Sequence, residues 1–380
     1  MTDPLERTQA LLGKVSEEKP DLAHVKQFAD ALLECLPGAS EEVRLEVLER
    51  LSHGLQHTDP QVGGIIAYVC GAIVEVSRTI DPLSIGQAMV EGAVSVLQGV
   101  IRFHEHLERE YPATEDNEDE EPDDAFEVDG RLVPREIMDK IVAQDRPALQ
   151  SWFSFEGWGL ALIAVLSRSR ELRQIANASD DFRESVEQLS YSGDFLRMAM
   201  RLLDDVVLLV LHPESKQGFQ LRMTGVADNF QLHILLADLL VARPATGLMG
   251  RLLGQKSSGL PGAKPSKTVA RVMWGQGGPS IDEAAHGVWN LYDWRSAKHW
   301  SEIVVTKGSQ HSNYWIWGEG IPADIPTWEG MLVILLGEPS YPRSFDSARR
   351  FPALVPTVVI EETLGTEAVG AWMKRFHAAA

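Results

Sequence analysis

One stretch, Val206 to Val241, constrains the fold of this chain more than any other. Its sequence, VVLLVLHPESKQGFQLRMTGVADNFQLHILLADLLV, predicts a buried strand, a polar turn, a half-buried strand and a helix. Residues 206–211 form a continuous apolar run rich in valine, which is typical of a strand buried on both faces. Residues 219–226 alternate apolar and polar side chains, which indicates a strand with one buried face. Asp228 or Asn229 can cap the helix that follows.

The predicted helix after residue 229 is apolar on nearly every side, so we expect it to be buried in a core. It is shorter than the roughly 20 residues that a membrane span needs. His233 and Asp238 are its two polar interior residues, and they lie roughly 140° apart around the helix, which places them on different faces. We interpret His233 as a hydrogen-bonded core histidine. The alternative is a buried histidine at the floor of a pocket.

The first 110 residues predict an all-helical region with regularly spaced helix starts. Asp21, Ser40, Asp59 and Asp81 each stand where an N-cap residue is expected, and proline follows two of them. This rhythm fits either a helical bundle or a short array of helical hairpins. Six glycines inside the third and fourth helices would weaken them, and close approach of neighbouring helices would compensate.

The fold class we predict is multidomain α + (α+β), in four parts. Residues 1–112 are an N-terminal helical domain, and residues 113–133 are an acidic flexible linker. Residues 134–204 are a second helical segment or layer, and residues 205–380 are a mixed α+β domain with Trp-rich strands. The linker prediction depends on residues 113–128, which hold nine acidic residues and no basic one, a composition that cannot collapse on itself.

Five strands are predicted in the last 100 residues, at 287–293, 302–306, 314–317, 330–336 and 356–361. A closing helix follows, with Thr366 as its cap. Tryptophan and histidine concentrate in this region, and aromatic residues with polar groups often line binding sites. We therefore predict a ligand or partner surface made of Trp289, Trp294, Trp300, Trp315, Trp317, His286, His299, His311, Glu319 and Asp324. The alternative is a sheet whose core uses tryptophan.

Residues 243–281 form a basic, Gly- and Pro-rich segment without an acidic residue. Its candidate anion-binding residues are Arg251, Lys256, Lys264 and Lys267. The phosphate-loop pattern fails here, because no lysine follows the second glycine at the required spacing. An ordinary surface loop is the alternative interpretation.

Composition excludes several function classes. Cys35 and Cys70 predict neither a disulfide framework nor a thiolate metal site. A net charge of −20 argues against binding to nucleic acid or to an anionic membrane. We find no signal peptide and no apolar stretch of membrane-spanning length, so we expect a cytoplasmic protein. No catalytic, metal or cofactor motif is recognisable, and we predict no metal ion and no cofactor.

These observations favour a non-catalytic, acidic protein-binding module. It would neutralise a basic protein partner (an immunity-type role) or act as an adaptor for one, with its charge steering the encounter. One alternative is a small-molecule enzyme or sensor with a pocket between the Trp-rich strands and the basic segment 243–281. A second alternative is a structural scaffold within a larger assembly.

Overall fold

The computed structural model describes residues 3–55, 59–77, 79–112, 124–190, 193–242 and 259–380. These residues contain thirteen α-helices together with mixed β-sheets, so the protein is a multidomain α+β protein. The chain divides into two compact units, Met1–Met200 and Arg201–Ala380. The finer four-part layout stays a prediction.

The first unit is helical apart from one β-hairpin. Its elements are α1 Pro4–Val15, α2 Leu22–Leu33, α3 Glu41–Ser52, α4 Pro60–Val76, α5 Leu83–Glu110, β1 Ala125–Val128, β2 Arg131–Pro134, α6 Arg135–Arg168, α7 Arg170–Ala178, α8 Asp180–Gln188 and α9 Asp194–Met200. The side chains of Asp21, Ser40 and Asp59 accept hydrogen bonds from first-turn N–H groups, which confirms these predicted caps. Helices α1 and α7 were not predicted.

Helices α4 and α5 pack along α6, and the glycines permit the close contact. A Cβ atom on Gly71 would lie 2.6 Å from Ala161 Cα, and one on Gly157 would lie 2.5 Å from the Gly64 carbonyl oxygen. Real Cβ contacts are not that short, so larger side chains would push the helices apart. The expectation of close helix approach is confirmed at these positions.

The acidic linker prediction is wrong for residues 124–133. They form most of the hairpin of β1 and β2, whose turn holds Asp129 and Gly130 at positive φ. Val128 and Val133 are buried in a cluster with Phe103 of α5. An Asp-Gly turn between alternating side chains is a strong hairpin signal, and the acidic composition obscured it. The remaining linker residues, 113–123, lie outside the described residues.

The second unit is built on a six-stranded mixed sheet. Its elements are β3 Val206–His212, β4 Gln217–Thr224, α10 Asn229–Leu240, α11 Lys267–Met273, β5 Ser280–His286, β6 Asn290–Asp293, α12 Trp300–Thr306, β7 Thr327–Trp328, β8 Met331–Gly337, β9 Ser344–Ala348, β10 Thr357–Leu364 and α13 Thr366–Ala379. The sheet order is β10-β4-β3-β8-β6, with β7 beside β8, and β5 pairs with β9 separately. Strands β3 and β8 are parallel, and the other pairs are antiparallel.

Helices cover both faces of this sheet. On one face, α10 and α11 pack over Leu208 and Val210 of β3. On the other face, α12 and α13 pack over Leu209 and Leu211. Strand β3 is therefore buried on both faces, and β4 alternates buried and half-buried residues, as their sequences predicted. Helix α10 is capped by Asp228 and is buried, which confirms the element from which the sequence analysis started.

Several local predictions in the second unit are wrong. Residues 302–306 belong to helix α12, and residues 314–317 hold a short 3₁₀ turn and one isolated bridge instead of a strand. Strands β5 and β9 and helix α11 were not predicted. Helix α13 begins at Thr366, and its N-cap residue is Gly365. The predicted strands 287–293, 330–336 and 356–361 correspond to β6, β8 and β10.

Two helices of the first unit contradict the expectation that no apolar stretch reaches membrane-spanning length. Among the described residues, α5 and α6 are each long and apolar enough to cross a membrane by length and composition alone. Of the most apolar 18-residue stretch in each helix, 50% is buried inside the protein in α5 and 56% in α6. Core helices that are mostly buried meet the same criterion, so the finding is weak evidence for a membrane span. The cytoplasmic location stays a prediction.

Candidate functional site

The predicted tryptophan surface is divided between two cores and the exterior. Trp289 is buried in the cluster under α10, whereas Trp294, Trp300 and Trp315 are partly buried against the opposite face of the sheet. The indole N–H groups of Trp294 and Trp300 are buried without a hydrogen-bond partner among the described residues. Trp317 alone of the five is largely exposed, at 52%. Four of the five tryptophans therefore serve mainly as core, as the alternative interpretation proposed.

Three other predicted site residues lie apart from one another. His286 is exposed at the end of β5. Asp324 accepts a hydrogen bond of 2.5 Å from Arg201. Glu319 is exposed in a loop beside the start of α10, where it lines a cavity. The structure does not bring these three together with His299 or His311.

The basic segment is described only from residue 259 onward. Arg251 and Lys256 fall outside the described residues. Lys264 donates a hydrogen bond to the carbonyl oxygen of Asp238, and its ammonium lies 3.8 Å from the Asp238 carboxylate. Lys267 is exposed at the first residue of α11. These two lysines do not share a ligand site in the structure, because the ammonium group of Lys264 already interacts with Asp238.

The structure does bring His299 and His311 together, and it adds Glu302. One ligand atom from each of these three residues lies within 4.8 Å of the other two. The Glu302 Oε2 atom is 3.6 Å from His299 Nδ1 and 3.4 Å from His311 Nε2. The two imidazole rings are stacked, with their centroids 5.4 Å apart.

The chain reaches this geometry through a short helix and a sharp reversal. His299 directly precedes α12, and Glu302 stands three residues later on the same side of its first turn. Helix α12 ends at Thr306 and is followed by Lys307 and Gly308, both at positive φ, and the His311 N–H then donates to the Gly308 carbonyl. A Cβ atom on Gly308 would lie 1.8 Å from the Tyr292 hydroxyl oxygen, so only glycine fits this turn.

Packing and exposure differ among the three residues. The His311 side chain is 14% exposed, His299 is 35% exposed and Glu302 is 64% exposed. The ring of Tyr314 stacks on His299 with centroids 5.7 Å apart, and it also faces His311. The imidazoles are therefore held by an aromatic neighbour, while the carboxylate side of the cluster is open to solvent.

The spacing of these atoms fits a metal ion. Ligand atoms bound to one tetrahedral ion at about 2.1 Å lie about 3.4 Å apart, which matches the two separations measured from Glu302. Two imidazole nitrogens and one carboxylate oxygen form a ligand set used for zinc and for other divalent transition metals. An ion pair between Glu302 and protonated histidines would also bring the same atoms close. The two explanations differ in whether the protein retains a metal.

Sequence reasoning named His299 and His311 but missed Glu302. It predicted a strand over 302–306, and residues three apart in a strand point to opposite faces. Once 300–306 is a helix, His299 and Glu302 become neighbours. The spacing His-x-x-Glu was the available signal, but its meaning depended on the correct secondary structure.

In comparisons with protein-family models, with curated proteins and with solved structures, nothing matched this chain.

Proposed function

We propose that the second unit binds a divalent transition-metal ion of the zinc class through His299, Glu302 and His311. The observation that carries this proposal is the convergence of two imidazole nitrogens on one carboxylate oxygen at 3.4 and 3.6 Å. Calcium and magnesium prefer ligand sets made of oxygen. The two nitrogen ligands therefore favour zinc, cobalt, nickel or copper over the alkaline-earth ions.

The proposed site supplies three protein ligands and leaves a fourth position open. Structural zinc sites usually have four protein ligands, whereas catalytic sites keep one position for water or substrate. The exposed side of Glu302 faces solvent, which gives small molecules access to that position. A bound zinc ion would supply Lewis-acid chemistry and would acidify its water. The function we propose is thus an open metal site suited to hydrolysis or to ligand capture.

The test is metal binding by the full-length protein and by matched variants. Protein freed of metal with a chelator is titrated with Zn²⁺ by calorimetry and with Co²⁺ by visible absorption. We expect one ion per chain and a Co²⁺ spectrum typical of four-coordinate nitrogen and oxygen ligation. His311→Ala and Glu302→Gln each remove a ligand, so we expect their affinity to fall by at least about tenfold.

Two control variants replace a histidine and a glutamate that lie outside the cluster. His286→Ala removes an exposed histidine of the same unit outside the cluster, and Glu362→Gln removes an exposed glutamate of β10. Both variants are expected to bind like the unaltered protein. Equal affinity in all four variants, or no binding by the unaltered protein, would show that the cluster is only a group of ion pairs.

A second candidate function is the acidic protein-binding module, of neutralising or adaptor type. Residues 1–200 hold 38 acidic and 18 basic side chains, whereas residues 201–380 hold 17 of each. The first unit also has a groove of ≈ 630 Å³ between α2, α4 and α6, lined by the exposed apolar side chains of Tyr68, Phe153 and Leu160. These observations support binding of a basic protein that inserts an apolar segment.

Affinity capture at low and at high salt tests this second candidate. The tagged full-length protein is compared with Phe153→Ser, which shortens a side chain that is 47% exposed in the groove. We expect a basic partner that is captured at low salt, reduced at high salt and reduced by the variant. Capture that responds to neither change would contradict the proposal.

A further inference from the structure

A second candidate site lies under the start of α10, on the opposite face of the sheet from the cluster of His299, Glu302 and His311. It is a cavity of ≈ 410 Å³ whose walls include Asn229, His233, Glu319 and Arg343. Small-molecule pockets commonly have volumes of roughly 300–1,000 Å³, and this cavity is at the small end of that range. Its size therefore suits a metabolite such as an amino acid better than a nucleotide or a peptide.

Arg343 supplies a fixed positive charge to the cavity. One of its terminal nitrogens, Nη2, donates to the Trp289 carbonyl oxygen at 2.7 Å and to Asn290 Oδ1 at 2.6 Å. These bonds hold the guanidinium in place, and Nη1 and Nε have no hydrogen-bond partner among the described residues. No carboxylate in the described part of the chain lies within ion-pair distance of Arg343. A partly buried guanidinium that is held by neutral groups is suited to a carboxylate ligand, which it can bind through a charge-assisted hydrogen bond from Nη1 or Nε.

Asn229 supplies a buried acceptor that lacks a donor. The side chain uses Nδ2 to bond the Trp317 carbonyl oxygen at 2.8 Å, and this bond fixes which end of the amide is oxygen. The Oδ1 atom is buried and has no partner among the described residues, and the whole residue is only 3% exposed. An unpaired buried acceptor is costly. Because this oxygen has essentially no accessible surface, a ligand in the cavity does not reach it, and Asn229 forms a fixed part of the cavity wall.

The remaining cavity wall complements Arg343. Glu319 lines the cavity with a carboxylate that has no ion pair among the described residues. The rings of Phe230 and Phe345 contact each other beside it, tilted by 31° with centroids 4.5 Å apart, and the nearby Tyr341 side chain is half exposed. His233 is buried and accepts a hydrogen bond from the Val288 N–H at 2.8 Å, so it forms a neutral part of the wall.

We propose that this cavity binds a free α-amino acid with an apolar or aromatic side chain. Arg343 binds the ligand carboxylate, Glu319 accepts a hydrogen bond from its ammonium group, and the aromatic side chains of Phe230 and Phe345 contact its side chain. The positive and negative groups on the wall match the two charges of one zwitterion. This inference does not depend on the metal site, because the two sites share no residue.

Calorimetry with the full-length protein tests the proposal without any variant. The probes are the twenty standard L-amino acids, followed by two analogues of the strongest binder, one lacking the carboxylate and one lacking the ammonium group. For phenylalanine these analogues are phenethylamine and 3-phenylpropionate. We expect an apolar or aromatic amino acid to bind and each analogue to bind at least about tenfold more weakly, because each loses a charge-assisted hydrogen bond. Equal binding of either analogue, or binding of none of the twenty, would overturn the proposal.

A variant pair then assigns the carboxylate contact. Arg343→Gln is expected to weaken binding of the amino acid at least about tenfold while changing the affinity of its decarboxylated analogue little. Arg375→Gln is the control, because Arg375 pairs with Glu329 on the surface and does not line the cavity. If Arg343→Gln weakens both probes equally, the selective role of Arg343 is refuted. Circular dichroism confirms that both variants are folded before binding is compared.

Discussion

At the scale of single residues, His233 illustrates how burial fixes a protonation state. Burial and, to a smaller extent, the positive charge of Arg343 lower the pKa of His233 to about 3. The Val288 N–H donates to His233 Nε2 at 2.8 Å, so a proton on that nitrogen would face another proton. The sequence analysis offered a core histidine or a pocket histidine. The structure places His233 in both positions, as a core residue that also forms a cavity wall.

This shifted pKa predicts a specific dependence of stability on pH. The unfolded chain takes up a proton at His233 near its ordinary pKa of 6.5, whereas the folded protein does so only near 3. Between these values the unfolded state binds more protons, so stability falls as the pH falls through that window. One such group contributes about 1.4 kcal/mol per pH unit.

His233→Gln tests this expectation because glutamine keeps an acceptor and does not titrate. Urea unfolding followed by tryptophan fluorescence is measured from pH 7.5 to pH 5.0 for both proteins. From pH 6.5 to pH 5.0 the unaltered protein should lose about 2 kcal/mol more than the variant. Between pH 6.5 and pH 7.5 the difference should change by less than about 0.5 kcal/mol, because few unfolded chains still bind the proton there. Contributions from other shifted groups, such as Asp228 and His212, occur in both proteins and cancel. Parallel curves over the whole range would contradict the prediction.

At the scale of elements, local signals determined which predictions succeeded. Helices with a polar cap and a regular apolar face were predicted well, because the cap and the face are encoded in neighbouring residues. Strand β3 was predicted because a short apolar run rich in valine suits few other structures. The hairpin of β1 and β2 was missed, although Asp129 and Gly130 carry a recognised turn signal, because the surrounding acidic residues suggested disorder.

Helix α12 shows where local reasoning stops. Ile303, Val304 and Val305 form a β-branched run, and such a run favours a strand when neighbouring residues alone are considered. In the structure Ile303 packs into the core under the sheet while Val305 is 83% exposed. This arrangement depends on tertiary contacts that no local pattern contains. The metal-type cluster depends on the same helix, so the sequence supplied its histidines but not their geometry.

The interface of α4 and α6 gives a prediction at this scale. Gly71→Ala would place a Cβ atom 2.6 Å from Ala161 Cα, and overpacking of this kind costs about 1–3 kcal/mol. Gly13→Ala in α1 is the matched control, because its added Cβ atom meets nothing within 4 Å. Relief of the glycine entropy cost should stabilise that variant by about 0.5–1 kcal/mol. Urea unfolding followed by circular dichroism measures both changes. The packing argument fails if the two variants shift stability in the same direction.

At the scale of the whole molecule, the net negative charge and the two candidate binding sites belong to different parts of the chain. Residues 1–200 carry the entire net charge of −20, and residues 201–380 are neutral in sum. The metal-type cluster and the cavity under α10 both belong to the second unit. The sequence analysis predicted an acidic protein-binding module and an aromatic ligand or partner surface in the C-terminal region. The charge count assigns them to different halves, so the proposed electrostatic attraction of a basic partner would have its source in the first unit.

This separation predicts how the two halves behave when each is expressed alone. Each unit has its own buried core and about 200 residues or fewer, a size at which domains commonly fold independently. Fragment 201–380 should fold, bind one Zn²⁺ and bind the amino-acid ligand with the affinities of the full chain, since all proposed contacts lie within it. Fragment 1–200 should bind no Zn²⁺ at this site, and it should retain salt-sensitive capture of a basic partner. Circular dichroism, calorimetry and affinity capture measure these properties. If fragment 201–380 folds but loses Zn²⁺ binding, His299, Glu302 and His311 are insufficient for the site. If the same neutral fragment shows salt-sensitive capture of a basic partner, the electrostatic role of the first unit is refuted.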